Sequence, residues 1–115
     1  MSQDRFKIRF DKKAQREYDK LDGSVKGHVN KGLAKLRTRA DTLGKELENK
    51  RNMKLHGCKE LKFKGSGIRV IYRITGRTED ELEIVMILGI GDRDEDTAFK
   101  DASNRLADFL KNLED

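Results

Sequence analysis

No proline interrupts this chain, and Cys58 is its one thiol. Without proline no stretch reads as a rigid linker, and residues 1–115 are expected to form a single domain around one modest core. A lone cysteine excludes an internal disulfide and fits a reducing cytoplasm. Of the two histidines, His56 lies two residues before Cys58 and His28 lies far from both. No metal-ligand spacing arises, so no metal is expected, and no motif calls for a small-molecule cofactor. Long apolar runs are missing too: none approaches the roughly 18 residues of a membrane span. The chain opens without a secretory signal pattern. The expectation is a cytoplasmic protein with no membrane partner.

Charge is what the chain has in abundance. Lysine and arginine number 26 against 21 acidic residues, for a net charge of +5 and a pI near 9.4. Such a surplus favours an anionic partner, either nucleic acid or an acidic protein. Charge alone fits a solvated surface with a lysine excess equally well.

Alternation over Phe6-Lys7-Ile8-Arg9-Phe10 predicts a short strand with Phe6, Ile8 and Phe10 inward. Asp11 suits the N-cap of a helix through Leu21, and Ser24 that of a second helix after the Asp22-Gly23 break. The second carries Val25, Val29, Leu33, Leu36, Ala40 and Leu43 on one stripe, and the two together read as a helical hairpin across a sheet. Gly27 and Gly32 weaken that helix and leave room for something to approach closely. Residues 44–54 are polar and read as a helix extension followed by a loop. Leu82 to Ile90 is nearly all apolar, as in a central strand covered on both faces. Asp94, Glu95 and Asp96 suit the first turn of a last helix. That helix is striped by Phe99, Ala102, Leu106, Phe109, Leu110 and Leu113, a face that either closes over the sheet or meets a partner. The whole reads as an α+β domain, mainly antiparallel, of about four strands with two N-terminal helices and one C-terminal helix.

The most informative stretch is CKELKFKGSGIRVIY, Cys58 to Tyr72. Two alternating runs flank Gly65-Ser66, which reads as a two-residue turn with Lys64 facing Gly67. The register that keeps one face apolar pairs Phe63 with Ile68, Leu61 with Val70 and Lys59 with Tyr72. Lys62 then faces Arg69, and Glu60 faces Ile71. The second strand is expected to end near Ile74, with a polar connection from Gly76 to Glu81. Like charges opposite each other destabilise a sheet, so Lys62 against Arg69 suggests an anion seated between them.

With the hairpin in view, FDKKAQREYDKL, then KLHGC-KELKFKGSGIRVIYRI, then IVMILGIGDRDEDTAFKDASNRL resembles the RelE toxins of the RelE/ParE superfamily over nearly the whole chain. The resemblance implies a toxin of a type II toxin–antitoxin system with a microbial-ribonuclease-like fold. It implies metal-independent cleavage of mRNA in the ribosomal A site, with the ribosome, mRNA and a cognate antitoxin as partners. The basic residues that such toxins use align with Lys62, Arg69 and Arg93. Glu60 stands where the best-known branch has a lysine, and Phe99 where it has a functional tyrosine. ParE-like sisters inhibit DNA gyrase instead, and that is the alternative activity.

RNA cleavage of this kind needs the 2′-OH deprotonated, the phosphorane's charge stabilised and the 5′-oxygen protonated. Lys62, Arg69 and Arg93 suit the second task as a phosphate clamp. His56 and Glu60 are the candidate proton carriers, although cations beside Glu60 weaken it as a base and a simple salt bridge explains it as well. Lys64 and Arg73 suit flanking phosphates or ribosomal RNA. Phe99 suits either the core or a stacked base, and Tyr72 belongs to the apolar face.

Overall fold

The computed structural model describes residues 4–49, 53–92 and 97–113. Within them lie β1 (Phe6–Phe10), α1 (Lys12–Asp19), α2 (Gly23–Leu43), β2 (Lys45–Glu46), β3 (Cys58–Phe63), β4 (Ile68–Glu79), β5 (Leu82–Asp92) and α3 (Thr97–Leu113). The sheet has five strands rather than about four, in the order β1-β5-β4-β3-β2. It is mixed: β1 runs parallel to β5, and every other pairing is antiparallel. The extra strand is β2, two residues paired as Lys45↔Glu60 and Glu46↔Lys59 on the edge of β3. A stretch expected as helix extension and loop thus supplies an edge strand, one too short to show any periodicity.

The β3–β4 register is the expected one, from Cys58↔Arg73 to Phe63↔Ile68. The turn is not. Residues 64–67 form a four-residue loop in which the Phe63 carbonyl accepts from the amides of Ser66 (3.2 Å) and Gly67 (2.9 Å). Gly67, at φ +65°, takes the left-handed conformation that closes such a loop; Gly65 does not. β4 also runs past Ile74 to Glu79, so the polar connection shrinks to a tight turn at Asp80-Glu81, both at positive φ.

The sheet is covered on both faces. On one, Val29, Leu36 and Ala40 of α2 and Ala14 of α1 pack with Val70, Tyr72, Val85 and Ile87. Asp22, rather than Ser24, caps α2, its carboxylate accepting from the amides of Ser24 (3.0 Å) and Val25 (3.1 Å). Gly32 faces the Phe63 ring, and a Cβ there would lie 2.4 Å from Phe63 Cζ. Gly27 has open space instead. Tyr72 is fully buried; its hydroxyl donates to the Ala40 carbonyl (2.8 Å) and accepts from the Gly44 amide (3.0 Å), tying the end of α2 to the start of β2.

On the other face Ala98, Phe99, Ala102 and Leu106 of α3 pack on Ile71, Leu88, Leu47, Leu55 and Cys58. The α3 stripe from Phe99 to Phe109 therefore closes over the sheet, while Leu110 is exposed. Asp94, Glu95 and Asp96 lie outside the described residues. Gly89 and Gly91 present their backbone to Ala98 and Ala102, which brings α3 close to β5. Parallel pairing with β1 ends at Phe10↔Ile87, so beyond it no strand among the described residues lies along the outer edge of β5. Side chains satisfy that edge. Arg105 Nη1 donates to the Leu88 carbonyl (2.9 Å), and the Ile90 amide donates to Glu17 Oε1 (3.1 Å). Arg105 and Glu17 are themselves paired through both guanidinium nitrogens, at 2.8 and 3.1 Å. That pair joins α1, β5 and α3.

Candidate active site

A cavity of about 820 Å³ opens over the polar face of the β3–β4 hairpin, bounded by β2 and the start of α3. Its centre is built on the two charged residues that are buried among the described residues, Glu60 and Arg69. They sit on adjacent strands and lie diagonally across the ladder, Glu60 facing Ile71 and Arg69 facing Lys62. Arg69 Nε contacts Glu60 Oε2 in an ion pair, and its guanidinium carbon lies 3.9 Å above the centroid of the Phe99 ring. A carboxylate on one side and an aromatic face on the other hold the guanidinium in one orientation. Lys62, half-exposed, places its ammonium 3.7 Å from Glu60 Oε1. One buried carboxylate is thus shared by two cations, one buried and one half-exposed at the cavity.

His56 lies on the rim, exposed, in the loop before β3. Its backbone is held on both sides. The amide donates to Asn49 Oδ1 (3.0 Å), and the carbonyl accepts from Arg73 Nη1 (3.3 Å). Gly57, at φ +92°, lets the Arg73 guanidinium pass beneath this loop, since a Cβ would meet Nη1 at 2.3 Å. Cys58 is buried beside it, and burial pushes its thiol up to about 11.

Five of the eight residues singled out in the sequence therefore line one cavity: His56, Glu60, Lys62, Arg69 and Phe99. Two do not. Lys64 sits in the hairpin loop and faces a neighbouring groove, and Arg73 spends its guanidinium on the His56 carbonyl. Arg93 lies outside the described residues. Phe99 is both core and site: it is 2% exposed, packs with Leu88 and Ala102, and carries Arg69 on its ring. Sequence reasoning missed the far wall, where Lys45, Glu46 and Glu48 line the cavity and Asn49 holds the His56 loop. Only the pairing of β2 with β3 brings them there, and two residues of strand leave no pattern to read.

Comparison with known proteins adds the following. Residues 8–97 match the family model described as the ParE toxin of the type II toxin–antitoxin system parDE. The mRNA interferase toxin RelE of Escherichia coli (strain K12) is 24% identical over 97 residues, 84% of this chain and 93% of that protein. A substituted variant of E. coli toxin RelE in the free state has the same fold, with a TM-score of 0.65 at 24% identity over 90% of this chain and 99% of that one. The toxin–antitoxin complex RelBE2 from Mycobacterium tuberculosis superposes with a TM-score of 0.56 at 28% identity, over 75% of this chain and 95% of that one.

Proposed function

The chain belongs to the ParE toxin family of type II toxin–antitoxin systems, within the RelE/ParE superfamily, and from that premise we propose that it is a metal-independent endoribonuclease cutting mRNA in the ribosomal A site. The observation that carries this reading is the stack of Glu60, Arg69 and Phe99 beneath Lys62, in a cavity wide enough for a nucleotide. A buried arginine whose orientation is set in advance costs little reorganisation when charge develops on a phosphorane. Lys62 supplies a second, half-exposed cation to the same oxygens, and Arg93, which follows β5 in the chain, is the third member of the clamp.

Glu60 is committed to two cations and serves to orient Arg69. His56 is left as the proton carrier on the cavity rim. The 2′-OH gives up its proton and its oxygen bonds to the adjacent phosphorus; the bond to the 5′-oxygen breaks, that oxygen takes a proton, and a 2′,3′-cyclic phosphate remains. His56 performs one of the two transfers. Flanking phosphates fall to Lys64. The antitoxin in the M. tuberculosis complex suggests that this chain too is held by a cognate antitoxin.

The test is induction of the chain in cells with transcript ends mapped by primer extension. Cuts positioned within codons are expected. Lys62→Ala, a half-exposed change that leaves the core intact, should lower cleavage by about 10² to 10³ and relieve growth arrest. The matching family model is described as a ParE toxin, and the second reading is the ParE-like alternative, inhibition of DNA gyrase. A DNA-damage response with uncut transcripts would establish that reading and defeat the first.

A further inference from the structure

On the other flank of Lys62 a groove of about 360 Å³ runs between α2 and the tip of the β3–β4 hairpin. Five basic side chains line it: His28, Lys31 and Lys35 from α2, and Lys62 and Lys64 from the hairpin. No carboxylate is among its lining residues. His28, Lys31 and Lys35 share one stripe of the helix, and Lys31 and Lys35 are like charges one turn apart, an arrangement that weakens a helix. Lys31, Lys35 and Lys64 are exposed and have no ion-pair partner among the described residues. Gly32 lets the Phe63 ring reach the helix, and that contact closes the floor beneath the lysines. Lys62 borders both this groove and the larger cavity, so the two adjoin at that lysine.

We propose that this groove carries the phosphate backbone of single-stranded RNA leaving the candidate active site, an inference that rests on the nuclease reading above. A strand with its scissile phosphate at Lys62 meets the next cations along the chain at Lys64, Lys31 and Lys35. Lysine ammoniums are point charges without the fork that reads base edges, so the path is indifferent to sequence and sensitive to salt. Its junction with the cavity at Lys62 favours RNA over an acidic polypeptide.

Binding of 2′-O-methylated RNA, which cannot be cleaved by its own 2′-OH, tests the path apart from catalysis. The parent protein should hold a single-stranded twelve-mer more tightly than a three-mer. The double variant Lys31→Gln/Lys35→Gln should bind the twelve-mer about tenfold less tightly at low salt and the three-mer unchanged. Its dependence of log affinity on log salt should be shallower by about 1.4, two phosphate contacts' worth. Unchanged twelve-mer affinity and slope would overturn the proposal. So would an equal loss on a twelve-base-pair RNA duplex, which means general attraction to structured RNA, or a loss confined to a polyglutamate peptide, which assigns the groove to an acidic protein. Absence of transcript cleavage alongside length-dependent binding would sink the nuclease reading and leave the groove standing.

Discussion

At the scale of single residues, the site rests on a charge that the interior tolerates only because it is paired. Glu60 and Arg69 are both buried, and taking one partner from such a pair strands the other. Arg69→Ala should therefore cost about 3 kcal/mol or more of stability as well as activity, read as a lower urea midpoint. Adding Glu60→Gln should recover part of that loss. A single variant as stable as the parent would show that the pair is not what holds the hairpin's polar face. Two other buried groups set an alkaline limit. Burial pushes Tyr72 up to about 12 and Cys58 up to about 11. Both groups stay neutral in the folded chain at a pH where the unfolded chain has released their protons. The stability tied to them is complete below pH 9, and it is lost as pH rises from there towards 12. A thermal-melt series should fall across that window. Tyr72→Phe should flatten the upper part of the decline while lowering stability at neutral pH, because the Ala40 carbonyl and Gly44 amide lose their partner.

At the scale of elements, α2 offers a controlled comparison. Gly27 has nothing within 4 Å of an added Cβ, so Gly27→Ala should stabilise by about 0.8 kcal/mol through helix propensity. The same change at Gly32 drives a methyl into the Phe63 ring and should destabilise by about 1–3 kcal/mol. Chemical denaturation of the two variants decides it; equal and favourable shifts would mean that the helix and hairpin do not touch as described. Elements with a repeating signal were legible. The apolar stripe of α2, the run of β5 and the two-faced pattern of β3 and β4 all follow from spacing, and the register of the hairpin follows from its apolar face. Positions decided by a single contact were not. The turn takes its positive φ at Gly67 because the Phe63 carbonyl closes a four-residue loop. Asp80 and Glu81 hold positive φ without the glycine or asparagine that usually announces it. In the site, the alternation that placed Glu60, Lys62 and Arg69 on one face was readable, whereas Asn49 and the wall from Lys45 to Glu48 depend on a partner strand distant in sequence.

At the scale of the whole molecule, helices lie on both faces of the sheet, and Arg105 is the residue that holds the two sides together. It reaches the Leu88 carbonyl and Glu17, with Asp101 and Asp11 nearby at 3.6 and 3.8 Å. Arg105→Ala should cost about 3 kcal/mol and speed amide exchange at Ile90, whose hydrogen bond ends on Glu17. Because Phe99 rides on the same helix, the variant should also lose part of the Arg69 stacking and, with it, activity. Retained protection at Ile90 would show that α3 is held by its apolar stripe alone.

The strand order has a further consequence for how the molecule is born. β5, which joins β1 to the antiparallel part of the sheet by pairing with both β1 and β4, begins only at Leu82, and Phe99 comes later still. Such pairing joins segments far apart along the chain, and contacts of that kind form late and slowly. A nascent polypeptide that has not reached Leu82 has no β5 for β1 and β4 to dock against and no ring beneath Arg69. Incomplete products of synthesis should therefore be inert, with the pocket assembling only after β5 and Phe99 have been translated.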